Sequence, residues 1–133
     1  MNLKGTIIYS LIYLSLDAMW LFMMTPLFYR KRFELIQNSA MKVRIPFAFM
    51  AYVLLLLTLF NICIPLSEGY KKNKWIPFAL VGLAIYGVYN MTNAAVFSKY
   101  PLDMCIVDTL WGGVCFGIMG YLYLKMKRLE YMK

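Results

Sequence analysis

Residues 45–66 read IPFAFMAYVLLLLTLFNICIPL and contain no charged side chain. A helix rises about 1.5 Å per residue, so this stretch is long enough to cross about 30 Å of hydrocarbon. Three further apolar stretches, at about residues 5–28, 75–97 and 102–124, have similar lengths. Because backbone groups in lipid must be hydrogen-bonded within the segment, each stretch is expected to be a helix. The sequence therefore predicts an all-α protein, a single domain over residues 1–133 that forms a bundle of four transmembrane helices.

The composition also indicates a membrane protein. The 133-residue chain is 62% hydrophobic and 15% charged, whereas soluble domains are about half apolar and about a quarter charged. Its net charge of +8 comes from Lys and Arg that cluster between the apolar stretches. Such clusters face anionic headgroups, so the lipid bilayer is the expected partner and nucleic acid is not. The first stretch is longer than a signal-peptide core, and we expect it to be retained.

The distribution of bases predicts which side of the membrane holds the termini. Three loops connect the four predicted spans, at about residues 29–44, 67–74 and 98–101. The side with both termini and the second loop carries eight of the 14 Lys and Arg, and the side with the first and third loops carries six. Because Lys and Arg are enriched in cytoplasmic loops, this excess favours cytoplasmic termini. The eight bases are Lys4, Lys71, Lys72, Lys74, Lys125, Lys127, Arg128 and Lys133.

Asp17 and Asp108 are acids that lie well inside predicted spans, whereas Asp103 lies at the start of the fourth. An acid at the centre of the bilayer costs about 2.5–3.5 kcal/mol on insertion scales, so it usually faces the protein interior and has a function. No Lys or Arg lies within a span to pair with either deep acid. Each is therefore expected to be protonated, hydrogen-bonded or hydrated.

A tryptophan follows each deep acid three residues later, Trp20 after Asp17 and Trp111 after Asp108. This spacing places the acid and the indole on one face of a helix. The indole N–H is a donor only. Each indole is therefore expected to donate to a neighbouring carboxylate or to a ligand.

The third span adds a polar face with Tyr86, Asn90 and Asn93. Depth can be counted at about 1.5 Å per residue from the side that bears the first and third loops. Asn93 and Asp108 then lie roughly 8 Å deep, Asn90 roughly 12 Å and Asp17 roughly 17 Å. These depths predict a polar pocket among spans one, three and four, with span two as a lipid-facing wall. The candidate site residues are Asp17, Trp20, Tyr86, Asn90, Asn93, Asp108 and Trp111.

Three kinds of function fit a polar pocket in lipid. The leading hypothesis is binding or translocation of a proton, an ion or a small polar solute, and four spans favour a homo-oligomer for transport. A protonated aspartate can instead act as a general acid on a lipid, in an enzyme or its partner. Buried polar side chains can also serve only to lock helices together. The chain has no histidine and no metal- or phosphate-binding pattern, so no cofactor is expected.

Gly113 and Gly117 have the G-x-x-x-G spacing that allows helices to approach closely. Packing within the monomer is the favoured interpretation, and a dimer face is the alternative.

The order of these motifs resembles a known family. The first span carries L-D-x-x-W-L and is followed by a Y-R-K basic loop, which is predicted to extend from the end of that span at about residue 28 to Arg44. The third span carries Y-x-x-Y-N-x-T-N-A, and a proline precedes V-D-x-x-W-G in the fourth. This arrangement resembles the family called domain of unknown function 2177, which consists of small predicted membrane proteins. The resemblance covers nearly the whole chain, and it implies four spans and the importance of the candidate site residues, but no activity.

Overall fold

In the computed structural model, which describes residues 1–131, every regular element is a helix. Four helices are long and apolar enough to cross a membrane: Leu3–Gln37, Ile45–Glu68, Ile76–Val96 and Leu102–Leu129. The predicted all-α class with four transmembrane helices is therefore confirmed. Four crossings return the chain to the side from which it starts. Lys133, one of the eight bases assigned to that side, lies outside the described residues.

The first long helix extends further than the sequence predicts. Helix α1 (Leu3–Met24) continues through a π-helical segment (Thr25–Tyr29) into α2 (Arg30–Gln37). The prediction that residues after 28 form a loop is therefore wrong. No residue from Arg30 to Gln37 interrupts a helix, and the chain turns only at Asn38, whose φ of 52° is left-handed.

The second long helix has the same construction. Helix α3 (Ile45–Thr58) leads through a second π-helical segment (Leu59–Cys63) into α4 (Ile64–Glu68). Helix α5 (Ile76–Val96) agrees closely with the predicted third span. Helix α6 (Leu102–Tyr131) continues seven residues beyond the predicted end of the fourth span at residue 124. Its extension is rich in Lys and Arg, whose charged ends can remain in water or among headgroups.

Glycines allow α5 and α6 to pack very closely. A Cβ added to Gly82 would lie 2.2 Å from the carbonyl oxygen of Gly112, and one added to Gly112 would lie 2.4 Å from Cγ of Tyr86. Gly113 and Gly117 also face α5, where they approach Leu83 and Ala79. The G-x-x-x-G pair therefore packs within the monomer, as the sequence interpretation favoured. This close packing brings the polar face of α5, which carries Asn90, into contact with the face of α6 that carries Asp108.

Ionic and polar contacts join the helices at both ends of the bundle. On the side that bears the first and third loops (residues 38–44 and 97–101), here called the first-loop side, Arg32 pairs with Asp103. On the opposite side Glu68 accepts from Lys127 at 2.6 Å and from the Tyr123 hydroxyl at 3.0 Å. Both groups connect the end of one long helix to α6. They hold the bundle at the levels where side chains meet headgroups and water.

Candidate functional site: an intramembrane cleft with two aspartates

Asp17 lies in the middle of α1 and is 5% exposed. The indole Nε1–H of Trp111 donates to its Oδ1 at 2.8 Å, and the Tyr52 hydroxyl donates to its Oδ2 at 2.9 Å. These donors come from α6 and α3. One carboxylate therefore connects three of the four transmembrane helices.

Asp108 on α6 also accepts one hydrogen bond at each oxygen. The Tyr29 hydroxyl donates to Oδ1 at 2.9 Å, and the amide of Asn90 donates to Oδ2 at 2.7 Å. Asn90 is completely buried, and its own oxygen accepts from the Tyr100 hydroxyl at 2.6 Å. Its amide group also donates to the carbonyl of Tyr86 at 2.8 Å. This network fixes Asn90, and through it one oxygen of Asp108.

The two tryptophans join the surroundings of the two acids. Trp20 and Trp111 stack with ring centroids 4.1 Å apart and planes inclined by 3°. Trp111 donates to Asp17 directly, whereas Trp20 donates to the Tyr29 hydroxyl at 3.2 Å, and that hydroxyl donates to Asp108. Each indole therefore serves the acid on the other helix. The stacked pair links both acids into one polar unit.

Both acids line one cleft of about 770 Å³ that opens at the surface of the protein. Its walls combine the C-terminal half of α1, the π-helical segment and the start of α2 with parts of α3, α5 and α6 and with the first loop. The lining residues are Asp17, Leu21, Phe22, Thr25, Pro26, Tyr29, Arg30, Phe33, Met41, Val43, Ala51, Tyr86, Tyr89, Asp108 and Trp111. Met41 and Val43 belong to the first loop, so the cleft extends from the first-loop side down to Asp17. Most of its surface is apolar or aromatic, and the carboxylates are at its inner end.

The donors around the acids are all neutral. Among the described side chains, those of residues 1–129, the ion pairs join Arg32 to Asp103, and Lys74 and Lys127 to Glu68. Neither Asp17 nor Asp108 takes part in one. Tyrosine, tryptophan and asparagine donors stabilise a carboxylate by hydrogen bonding, but they do not neutralise its charge. In the described part of the chain, no group of three His, Cys, Asp or Glu is arranged to hold a metal ion.

The family model described as "Predicted membrane protein (DUF2177)" matches residues 2–124. The chain belongs to the DUF2177 family. No curated protein and no solved structure matches it. The family description agrees with the four membrane-spanning helices and names no activity.

The structure brings most of the predicted site residues of this DUF2177 chain together. Asp17, Tyr86, Asp108 and Trp111 line the cleft, whereas Trp20 and Asn90 lie behind it and hold the lining residues in place. Asn93 is in a different position. It lies beside the hydroxyls of Tyr89 and Tyr100, and it does not line the cleft.

Sequence reasoning did not include three tyrosines, Tyr29, Tyr52 and Tyr100, that donate hydrogen bonds in this candidate site. The prediction that span two is only a lipid-facing wall is wrong, because Tyr52 donates to Asp17 and Ala51 lines the cleft. Tyr52 lies seven residues after Ile45, roughly 10 Å deep, which is the level of the other polar residues. The depth of Tyr52 in span two is therefore the sequence signal that points to its place in the polar layer. Tyr29 lies at the predicted end of the first span and Tyr100 lies just before α6, and tyrosine at such positions is usually an interfacial residue.

A π-helical turn explains why Tyr29 faces inward. At about 100° per residue, a continuous α-helix would place Tyr29 about 180° from Trp20, nine positions earlier. Pro26 cannot donate, and its ring would clash with the carbonyl of Phe22 in an α-helix. The chain adopts wider π-helical hydrogen bonding here, with the Arg30 N–H bonded to the Thr25 carbonyl. The wider turn reduces the angle between Tyr29 and Trp20 to about 80°, which allows the Tyr29 hydroxyl to reach Asp108.

Proposed function

We propose that this protein binds a small solute inside the membrane, in the cleft described above, with Asp17 and Asp108 as its polar anchors. The observation that carries the proposal is that both deep acids line one cleft of about 770 Å³ reaching the first-loop side. This volume is typical of ligand sites, which are mostly apolar and contain a few fixed polar groups. The proposal also accounts for the energetic cost of two acids in lipid, because such residues commonly mark substrate or ion pathways.

Translocation is the second part of the proposal, and it requires a rearrangement. Below the cleft, the other half of the bundle is filled by a core in which Tyr9, Tyr13, Phe78 and Phe116 are completely buried. A solute bound at Asp17 therefore has a path toward the first-loop side and a packed core on the other. Passage would need this core to open. A monomer of four helices has few elements that could move apart to open such a path. We therefore propose that a transporting form is a homo-oligomer.

A panel of chemically different ligands tests binding of a solute whose identity is open. The purified protein would be heated with potassium chloride, tetraphenylphosphonium, tetraphenylborate, glycine or glucose, and its unfolding temperature recorded. A ligand that binds only the folded state raises that temperature. We expect at least one probe to do so for the wild type. Asp17→Asn and Asp108→Asn should reduce the shift, whereas Asp103→Asn, outside the cleft, should retain it. An unchanged shift in both cleft variants, or no shift with any probe, would contradict the proposal.

A structural role is the second candidate, and a specific observation favours it. Each of the four carboxylate oxygens of Asp17 and Asp108 accepts from Trp111, Tyr52, Tyr29 or Asn90. Bonds of this kind between helices also stabilise a bundle that binds nothing. Under this function, the asparagine variants lower the unfolding temperature and no probe in the panel raises it. Under the binding function, a variant that still folds loses the probe-dependent shift.

We also propose that the termini are cytoplasmic, from the distribution of Lys and Arg. The cleft would then open on the opposite, outward side of the membrane. A single cysteine placed at Asn38, at the end of α2, would test this in intact cells. Labelling by a membrane-impermeant maleimide added outside supports the orientation, and labelling only after lysis reverses it.

A further inference from the structure

We infer that the ligand of the cleft is an organic cation, with a positively charged nitrogen or phosphorus centre on an apolar body. This inference rests on the proposed binding function and specifies the class of solute. It follows from the combination of uncompensated acids, aromatic walls and an apolar lining in one cleft.

The first argument concerns charge. Asp17 and Asp108 line the cleft, and both are hydrogen-bonded only by neutral groups. Ionised carboxylates away from water are costly unless a positive charge accompanies them. No Lys or Arg among the described residues pairs with either acid. A cationic ligand would supply the missing positive charge, whereas an anionic ligand would add to the repulsion.

The second argument concerns the walls. Aromatic rings attract cations through the negative potential of their faces, and they form the cages that bind quaternary ammonium groups. Trp111 lies at the floor of the cleft, where its indole is held by the Asp17 bond and by the stack on Trp20. Six aromatic residues contribute to the lining: Phe22, Tyr29, Phe33, Tyr86, Tyr89 and Trp111. Such a lining suits a cation whose charge is delocalised or shielded by carbon.

The third argument excludes a bare metal ion as the best fit. Small hard cations take six or more oxygen ligands or retain water. The two acids already use each of their oxygens to accept a hydrogen bond, and Leu21, Met41 and Val43 line the remaining space. A volume of about 770 Å³ also far exceeds the space needed by an ion. An apolar body attached to the charge would fill it.

Arg30 is the one base among the described lining residues, and its position is compatible with a cationic ligand. It follows Asp17 by thirteen residues, so it lies roughly 20 Å further along the helix, at the level of the headgroups. Its side chain is exposed, and its neighbour Arg32 pairs with Asp103. Arg30 is therefore placed to face lipid phosphates at the mouth of the cleft. A zwitterion that spans from Arg30 to the acids is the competing ligand class.

Tetraphenylphosphonium and tetraphenylborate provide matched probes, because they have nearly the same shape and opposite charge. The protein would be reconstituted in phosphatidylcholine nanodiscs, and quenching of tryptophan fluorescence would be titrated against empty nanodiscs with added free tryptophan. We expect saturable binding of the phosphonium and none of the borate. Asp17→Asn and Asp108→Asn should each weaken phosphonium binding about tenfold or more, the size of one lost charge-assisted contact. Asp103→Asn serves as the control.

Glutamate variants keep the test decisive if an asparagine variant does not fold. Asp17→Glu and Asp108→Glu retain the negative charge and should bind the phosphonium within a few-fold of the wild type. Equal binding of the borate, or phosphonium binding that survives both asparagine substitutions, would overturn the inference. If glycine or glucose binds in an acid-dependent way and the phosphonium does not, the binding function stands and the cationic class is wrong. If no probe binds, the binding function itself fails.

Discussion

Trp20 and Trp111 stack face to face across the interface between α1 and α6, with centroids 4.1 Å apart. Each belongs to a helix that carries one deep acid, and each directs its N–H toward the acid of the other helix, Trp20 through Tyr29. A continuous chain of contacts therefore joins the two acids, from Asp17 through Trp111, Trp20 and Tyr29 to Asp108. This exchange joins the two carboxylates in one network of hydrogen bonds and stacked rings.

Replacing either tryptophan should have unequal effects. Trp111→Phe removes a 2.8 Å bond to a buried carboxylate, so we expect it to lower the free energy of unfolding by about 1–3 kcal/mol. Trp20→Phe removes a 3.2 Å bond to a hydroxyl and should cost less. Because Phe keeps an aromatic ring, the stack itself is tested with Trp20→Leu, Trp111→Leu and the double Leu variant, which should reveal a coupling of about 0.5–1.5 kcal/mol, as found for paired aromatic rings. Unfolding in detergent measures all of these variants, with Trp75→Phe and Trp75→Leu, outside this pair, as the controls. Strictly additive losses would contradict the coupling.

Removing the hydroxyl of Tyr52 tests the role of span two. Tyr52→Phe leaves Oδ2 of Asp17 without its donor, and we expect a loss of about 1 kcal/mol, the usual scale for hydrogen bonds between transmembrane helices. Tyr121→Phe is the matched control, because Tyr121 is exposed and no described hydrogen bond involves its hydroxyl. Thermal unfolding of the two variants side by side gives the comparison. Equal stability would mean that Tyr52 does not hold Asp17.

Because α5 and α6 pack closely at glycines, the stability of the protein should depend strongly on the absence of a side chain at these positions. Gly82→Ala would place its Cβ 2.2 Å from the Gly112 carbonyl oxygen, a contact that backbone movement alone can relieve. We expect a loss of about 1–3 kcal/mol or more, the range for overpacked cores. Gly87→Ala on the same helix meets only Thr109 Cγ2 at 3.4 Å and should be tolerated. Detergent unfolding and size-exclusion chromatography of both variants test this. If the two variants unfold and elute alike, α5 and α6 must lie further apart at Gly82 than these distances indicate.

Access from the first-loop side can be tested with single cysteines on α3. Ala51 lines the cleft, whereas Leu54, three residues further on, is exposed on the protein surface and does not line it. If water enters the cleft, a hydrophilic maleimide should modify Ala51→Cys faster than Leu54→Cys, which faces lipid. The native residues Cys63, Cys105 and Cys115 are buried and should give little background. Equal rates in proteoliposomes would indicate a cleft that is closed to water.

The sequence by itself determined the membrane class, the four spans and the depth at which the polar residues lie. These properties follow from composition and from distance along a helix, which rises about 1.5 Å per residue whatever its neighbours are. For this reason Asp17, Asn90, Asp108 and Trp111 could be assigned to one layer. The family resemblance, confirmed over residues 2–124, rests on the same local motifs.

Only the tertiary structure decided which partners those residues have. Tyr29 reaches Asp108 because a π-helical turn at Pro26 rotates it, and no count at 100° per residue anticipates that turn. Tyr52 reaches Asp17 because α3 lies beside α1, and the Trp20–Trp111 stack depends on the spacing of α1 and α6. Depth along a helix is a local property of the chain. The direction in which a side chain points, and what it meets there, depend on helix distortion and on the lateral packing of the bundle.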